Sequence, residues 1–268
     1  MIKPMLAYKV DKKPVDWSEK VFVQPKLDGV RCIFTKDGAF SRTGKQFKNV
    51  AHLEYDLTDF FRKNPNTVLD GELYNHDLKH DFEKIISLVR KTKPTEDDRR
   101  DAQHLVQYHV YDTIAEGVNY EDRYNWLRIN LPIARTMTLI VNTTVDSIDE
   151  AKMLHDVHLA QGYEGSMLRT NGFYEQKRSY NLQKFKDFSD DEATIIGYEE
   201  GKGKRQGTLG KFLMTDDEGI QFGCPPGKGY SYKDLSKMLL NINDYIGQRA
   251  TFTYFQRTQA GIKLLLMP

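Results

Sequence analysis

At 268 residues the chain is larger than one ordinary compact domain, and with 39% hydrophobic, 29% charged and 12% aromatic residues its composition is that of an ordered globular protein rather than a disordered one. Lysine and arginine number 39 against 38 aspartates and glutamates, so net charge points to no polyanionic partner, and any basic surface has to come from local segregation. Cys32 and Cys224 stand far apart with no C-x-x-C spacing, which excludes a disulfide framework and a four-cysteine zinc site; without a signal-peptide core or a membrane-length apolar run, a soluble cytoplasmic protein is expected.

The first half alternates strand and helix patterns. Val21 to Val23, Arg31 to Phe34 and Ala39 to Ser41 read as strands, with a hairpin turn at Lys36-Asp37-Gly38. Helical spacing relates Val50, Leu53, Leu57, Phe60 and Phe61, and again Phe82, Ile85, Ile86 and Val89. Val68 to Tyr74 and Leu105 to Tyr111 predict further strands, while the mixed-charge run Lys91 to Arg100 around Pro94 reads as a solvated loop. Ser147 with Glu150 forms a capping box for a helix that Gly162 stops, and a strand follows from Tyr163.

After Phe188 the character changes. Ser189 to Glu192 reads as a polar link, and beyond it short strands (Ala193 to Tyr198, Lys211 to Met214, Ile220 to Phe222, Ala250 to Phe255) surround one helix from Tyr232 to Leu240. Several strands and one helix suit a small barrel such as the OB-fold, a common oligonucleotide-binding module. The reading is an α+β protein with domains at 1–189 and 190–268.

Four clusters in the first domain carry chemistry: Lys26-Leu27-Asp28-Gly29 with Arg31, Leu69-Asp70-Gly71-Glu72-Leu73, Glu164-Gly165-Ser166-Met167-Leu168-Arg169, and Leu182-Gln183-Lys184-Phe185-Lys186. Strand positions two apart share a face, so Asp70 pairs with Glu72 and Lys184 with Lys186, one acidic and one basic pair each pointing one way. Taken singly, each cluster has a plainer reading. Lys-Leu-Asp-Gly can be a turn, Asp70 and Glu72 a solvated edge, Lys184 and Lys186 an exposed face, Tyr111 a core aromatic, and Gln24 a surface amide.

In order, these clusters resemble the covalent nucleotidyltransferases, and their wording is most similar to compact, viral-type ATP-dependent DNA ligases over almost the whole chain. Lys26 to Gly29 resembles the nucleophile motif and Ser41-Arg42-Thr43-Gly44 the second motif. Leu69 to Leu73, His109-Val110-Tyr111-Asp112, Glu164 to Arg169 and Leu182 to Lys186 follow as the later ones. The resemblance implies an α+β adenylation domain of mixed and antiparallel sheets with flanking helices, followed by an OB-fold β-barrel. It also implies three transfers: Lys26 takes AMP from ATP, the AMP moves to a 5′-phosphate at a DNA nick, and a 3′-hydroxyl displaces it.

A lysine ammonium is no nucleophile, so Lys26 needs desolvation or nearby cations, Lys184, Lys186 and a metal, to shed its proton. The same charges would stabilise the phosphoryl transition state. Glu72 and Glu164 are the candidate ligands for magnesium or manganese, with contact to the ribose as the alternative for Glu72. By the family match Arg31 and Arg42 lie near the nucleotide and the nick phosphate, Tyr111 stacks on adenine, and Gln24 reads its edge.

The loop from Lys202 to Gly207 makes no Walker motif. Lys202, Lys204 and Arg205 are either DNA-backbone contacts or an exposed hairpin turn. His76/His80 and His155/His158 lack a third metal ligand and read as surface residues. The family's final basic motif is abbreviated or missing here, leaving Lys263 and Arg257 to contact pyrophosphate, unless Lys263 merely borders a closing strand. The expected partner is nicked duplex DNA, bound by a monomer. The rivals are an RNA ligase, a GTP-using mRNA-capping guanylyltransferase, and a silent nucleic-acid-binding protein on the same scaffold.

Overall fold

A computed structural model describes residues 2–185, 189–227, 229–257 and 263–265, with side chains described throughout these ranges except at 11, 189, 190, 253–257 and 263–265. The chain forms two compact units, Met1–Lys186 and Asp187–Pro268. In the first, strands β1 (Leu6–Lys9), β2 (Val21–Lys26), β3 (Val30–Thr35) and β4 (Gly38–Ser41) precede helices α1 (Ala51–Asp56) and α2 (Thr58–Lys63). Then come β5 (Leu69–Tyr74), α3 (Phe82–Val89), α4 (Glu96–Leu105), β6 (Gln107–Thr113), α5 (Tyr120–Asn130), β7 (Met137–Leu139) and β8 (Thr143–Val145). Helix α6 (Ile148–Ala160) and strands β9 (Gly165–Thr170) and β10 (Arg178–Phe185) complete the unit.

These strands make two five-stranded sheets, ordered β1-β10-β9-β2-β8 and β4-β3-β5-β6-β7. Most neighbours are antiparallel; β1 with β10 and β6 with β7 are parallel. Alternation along the strands decides what the sheets offer each other. Val21 and Val23 of β2 pack with Ala151, Leu154 and Leu168 on the α6 side, which turns Phe22, Gln24 and Lys26 to the opposite face. Cys32 and Phe34 of β3 enter the large core with Leu53, Leu57, Ile85 and Leu88, so Arg31 points away from that core.

Two expectations are corrected. The run Lys91 to Arg100 is a loop only to Thr95. From Glu96 it is α4, because Thr95 and Asp98 form a reciprocal capping box and three acidic side chains fill the first turn, at the positive end of the helix dipole. Ser189 to Glu192 is no link: it opens the long first strand of the second unit.

That unit contains β11 (Ser189–Glu200), β12 (Leu209–Thr215), β13 (Gln221–Cys224), α7 (Tyr232–Leu240), β14 (Arg249–Arg257) and β15 (Lys263–Leu265). The sheet runs β13-β12-β11-β14-β15, every neighbour antiparallel. Ala193, Ile195, Met214, Phe222 and Phe252 form its core, and Ser231 with Asp234 caps α7.

Candidate active site

Lys26 ends β2, where its backbone oxygen accepts from the Glu164 amide at 3.1 Å and its Nζ donates to Glu164 Oε2. Register places Gln24 opposite Met167, and Met167 opposite Lys184, so these three lie in one row across the sheet. From the other sheet come Arg31, Asp70 and Glu72. Arg31 grips Asp70 with two bonds, Nε to Oδ1 at 2.9 Å and Nη2 to Oδ2 at 2.5 Å, and Tyr174 donates to the same carboxylate at 2.6 Å. Glu72 accepts from the Tyr111 hydroxyl at 3.3 Å. Burial pushes the Glu72 carboxyl up to about 8, with Asp70 adding to the rise and Arg31 and Lys26 opposing it.

Behind this row lies a lattice of buried charges. Asp112, fully buried, accepts from Arg123 at 2.8 and 3.0 Å and from Arg169 Nη1 at 2.7 Å. Arg169 Nε also donates to Gln24 Oε1 at 2.9 Å, and its guanidinium lies 5.4 Å from the centre of the Tyr111 ring and 4.8 Å from that of Tyr120. Since β9 and β6 belong to different sheets, the Arg169–Asp112 pair ties the sheets together immediately beside Gln24. Two guanidiniums share this one carboxylate, and their burial is tolerated because Gln24 Oε1 accepts from Arg169 and the Val118 and Gly172 carbonyls accept from Arg123.

A family model described as the ATP dependent DNA ligase domain matches residues 4–186. The chain belongs to the ATP-dependent DNA ligase family. DNA ligases of Enterobacteria phage T6 and Enterobacteria phage T4 are 25% and 26% identical to it, covering 91% of this chain and 62% of theirs. The chain therefore spans 62% of the length of these phage relatives. The DNA ligase of Haemophilus influenzae is 26% identical over 80% of this chain and 75% of its own length. Among solved structures, a Lig E DNA ligase described as binding DNA with a minimal scaffold matches with a TM-score of 0.81 and 26% identity, over 98% of this chain and 96% of that one. The α+β architecture is accordingly that of a ligase nucleotidyltransferase unit followed by an OB-type unit.

Within this ligase fold, Gln24, Lys26, Arg31, Glu72, Tyr111 and Glu164 gather in the first unit as described, with Lys184 on the adjoining strand. Arg42 is exposed on the turn after β4 and lines a cleft that also touches Arg31 and Glu72. Lys186 lies outside the described residues. Arg257 and Lys263 oppose each other in the β14–β15 pairing, and their side chains lie outside the described set. Lys202 and Lys204 are exposed and Arg205 is half-buried on the connection between β11 and β12, in the second unit.

Three surface readings are overturned, and the first is Asp70, which is fully buried rather than on a solvated edge. Gln24 is 1% exposed rather than a surface amide. His155 and His158 are buried, not on the surface: α6 turns both toward β9, where their Nδ1 atoms lie 3.2 and 2.7 Å from Ser166 Oγ. Sequence reasoning also missed Tyr174, Arg123 and the roles of Asp112 and Arg169. The available signal was a charged residue within a strand, at Asp112 and Arg169, since a charge buried there needs a partner.

Proposed function

We propose that the protein is an ATP-dependent DNA ligase that seals 3′-hydroxyl/5′-phosphate nicks in duplex DNA, with Lys26 as the AMP-accepting residue. The observation that carries this reading is the placement of Lys26 between Glu164, Glu72 and the Gln24–Met167–Lys184 row, in a chain of this family. Attack by the Lys26 amine on the α-phosphate of ATP makes a P–N bond and expels pyrophosphate. Transfer of AMP to the 5′-phosphate restores the lysine, and the 3′-hydroxyl then forms the phosphodiester and expels AMP. Each displacement needs positioning and charge compensation more than covalent machinery.

Arg31, Lys184 and Lys186 are assigned to the transferring phosphate, and Arg42 to the nick phosphate. Tyr111 is assigned to the adenine face, and Gln24 to its edge. The unpartnered Gln24 Nε2 supports the last assignment, being a buried donor with no described acceptor. Glu72 and Glu164 are hard oxygen donors suited to magnesium or manganese, which takes one or two carboxylates and completes its shell with phosphate and water. No cluster of three or more such side chains occurs among the described residues, which fits that ligand-poor mode. When bound, the ion supplies positive charge that neutralises phosphate, and it would draw Glu72 into its ionised form.

Met1–Lys186 is read as the adenylation domain and the second unit as the DNA-embracing one, with Lys202, Lys204 and Arg205 on the phosphate backbone and Lys263 and Arg257 reserved for pyrophosphate. All assigned residues come from one chain, so a monomer suffices. No helix among the described residues is long and apolar enough to cross a membrane. The test is sealing of a singly nicked, 5′-phosphorylated duplex with ATP and magnesium. Joined product with ATP and none with GTP supports the reading; no joining, or preference for a nicked RNA strand or for GTP, overturns it.

A further inference from the structure

The cleft that reaches Arg42 has a volume of about 550 Å³, with Gly29, Arg31 and Glu72 among its lining residues. Its two walls come from distant parts of the chain: the turn after β4, bearing Arg42 and Lys45, and the turn that ends α3, bearing Arg90 and Lys91. Lys91 is matched by Asp98 at 2.5 Å, and Arg31 by Asp70. Arg42, Lys45 and Arg90 are exposed and make no ion pair with any described residue. Glu72 is the one carboxylate among the lining residues, against five basic side chains, Arg31, Arg42, Lys45, Arg90 and Lys91. The cleft is thus cationic, roomier than a single phosphate requires, and shares Arg31 and Glu72 with the candidate active site. Unpaired cations facing each other across a cleft repel one another, and a polyanion threaded between them turns that repulsion into attraction.

We infer that Lys45 and Arg90 form a second phosphate subsite, which grips an internucleotide phosphate of the strand whose 5′-phosphate is sealed. This assignment rests on the ligase reading above. It gives Arg90 a role apart from that of a cation at the C-terminal end of α3, where it would merely complement the helix dipole. It also separates the nucleotide from the polynucleotide: ATP is served by the Lys26 site and the DNA strand by the cleft lined by Lys45 and Arg90.

The experiment compares the wild type, Lys45→Gln, Arg90→Gln, the double variant and Arg90→Lys in two assays. One is self-adenylation from ATP; the other is binding of the full chain to a 5′-phosphorylated nicked duplex over a salt series. Each lost phosphate contact should reduce the slope of log affinity against log salt by about 0.9. The double variant should therefore lose about 0.9 of slope and bind about fivefold more weakly. Arg90→Lys should keep the slope, and self-adenylation should match the wild type throughout. An unchanged slope in the double variant overturns the subsite. So does a selective loss of self-adenylation, which would assign these cations to the triphosphate of ATP. A wild type that binds the nick but never adenylates would count against the ligase reading alone, because the slopes still judge the cleft.

Discussion

Arg169 Nε donates to Gln24 Oε1 at 2.9 Å, and this bond decides which end of the Gln24 amide is already engaged. Asp112 holds Arg169 from behind, so flipping the amide would set its Nε2 donor against the fixed Nε–H donor of Arg169. The end left over is Nε2, a buried donor without a described partner. A donor in that state costs about 1–3 kcal/mol, which a ligand acceptor recovers on binding.

Replacing Gln24 by alanine should raise the KM for ATP in self-adenylation by about fivefold, the equivalent of one ordinary hydrogen bond, with a much smaller effect on the maximal rate. Single-turnover adenylation across a range of ATP concentrations measures both. An unaltered KM would remove Gln24 from the nucleotide site.

Glu72 makes stability depend on pH in a direction opposite to that of a salt-bridged carboxylate. Its carboxyl is raised from 4.5 to about 8, so between these values the folded protein holds a proton that the unfolded chain has released. Stability from this group is therefore lost as pH rises through that window. Relative to Glu72→Gln, the wild type should melt at progressively lower temperature from about pH 5 to about pH 8, without added divalent ion. Parallel melting profiles would show that the carboxyl is ionised in the folded protein at neutral pH.

Gly29 follows the Lys26-Leu27-Asp28 segment, and a Cβ there would stand 2.5 Å from the Leu73 carbonyl oxygen and 2.8 Å from Glu72 Cγ. The first neighbour is backbone of β5 and cannot step aside. Gly29→Ala should therefore displace the Glu72 side chain, lower stability by about 1–3 kcal/mol through overpacking, and reduce self-adenylation. Denaturant unfolding and adenylate yield, measured together, check this; a variant matching the wild type in both would mean that the close approach has no functional weight.

Much of this site was legible in the sequence because strand alternation is strict. Once Val21 and Val23 are assigned to the core, Gln24 and Lys26 have to share the other face, and the same rule places Asp70 with Glu72. What the sequence could not show was pairing between strands far apart in the chain. The Arg169–Asp112 bond spans 57 positions and the Arg31–Asp70 bond 39, and no local pattern announces either. Helix α5 was missed for a related reason: it buries Arg123 beside Tyr120 and Leu127, so a charge occupies a position where apolar periodicity would have been sought. Helix α4 was hidden by its charges, and only the capping relation of Thr95 to Asp98 marks its start. The histidines of α6 were read as exposed because no ligand set accompanied them, whereas they pack on the Ser166 hydroxyl.

The central claim is that Lys26 carries AMP covalently, and it is tested most directly by incubating the protein with labelled ATP and magnesium, denaturing it, and locating the label. The account predicts one AMP per chain, on the peptide containing Lys26, through a bond that is acid-labile and alkali-stable because the attacking atom is nitrogen. It also predicts no label on folded Lys26→Ala or Lys26→Arg. A covalent adenylate that persists in either variant, or one with the lability of an ester, would contradict it.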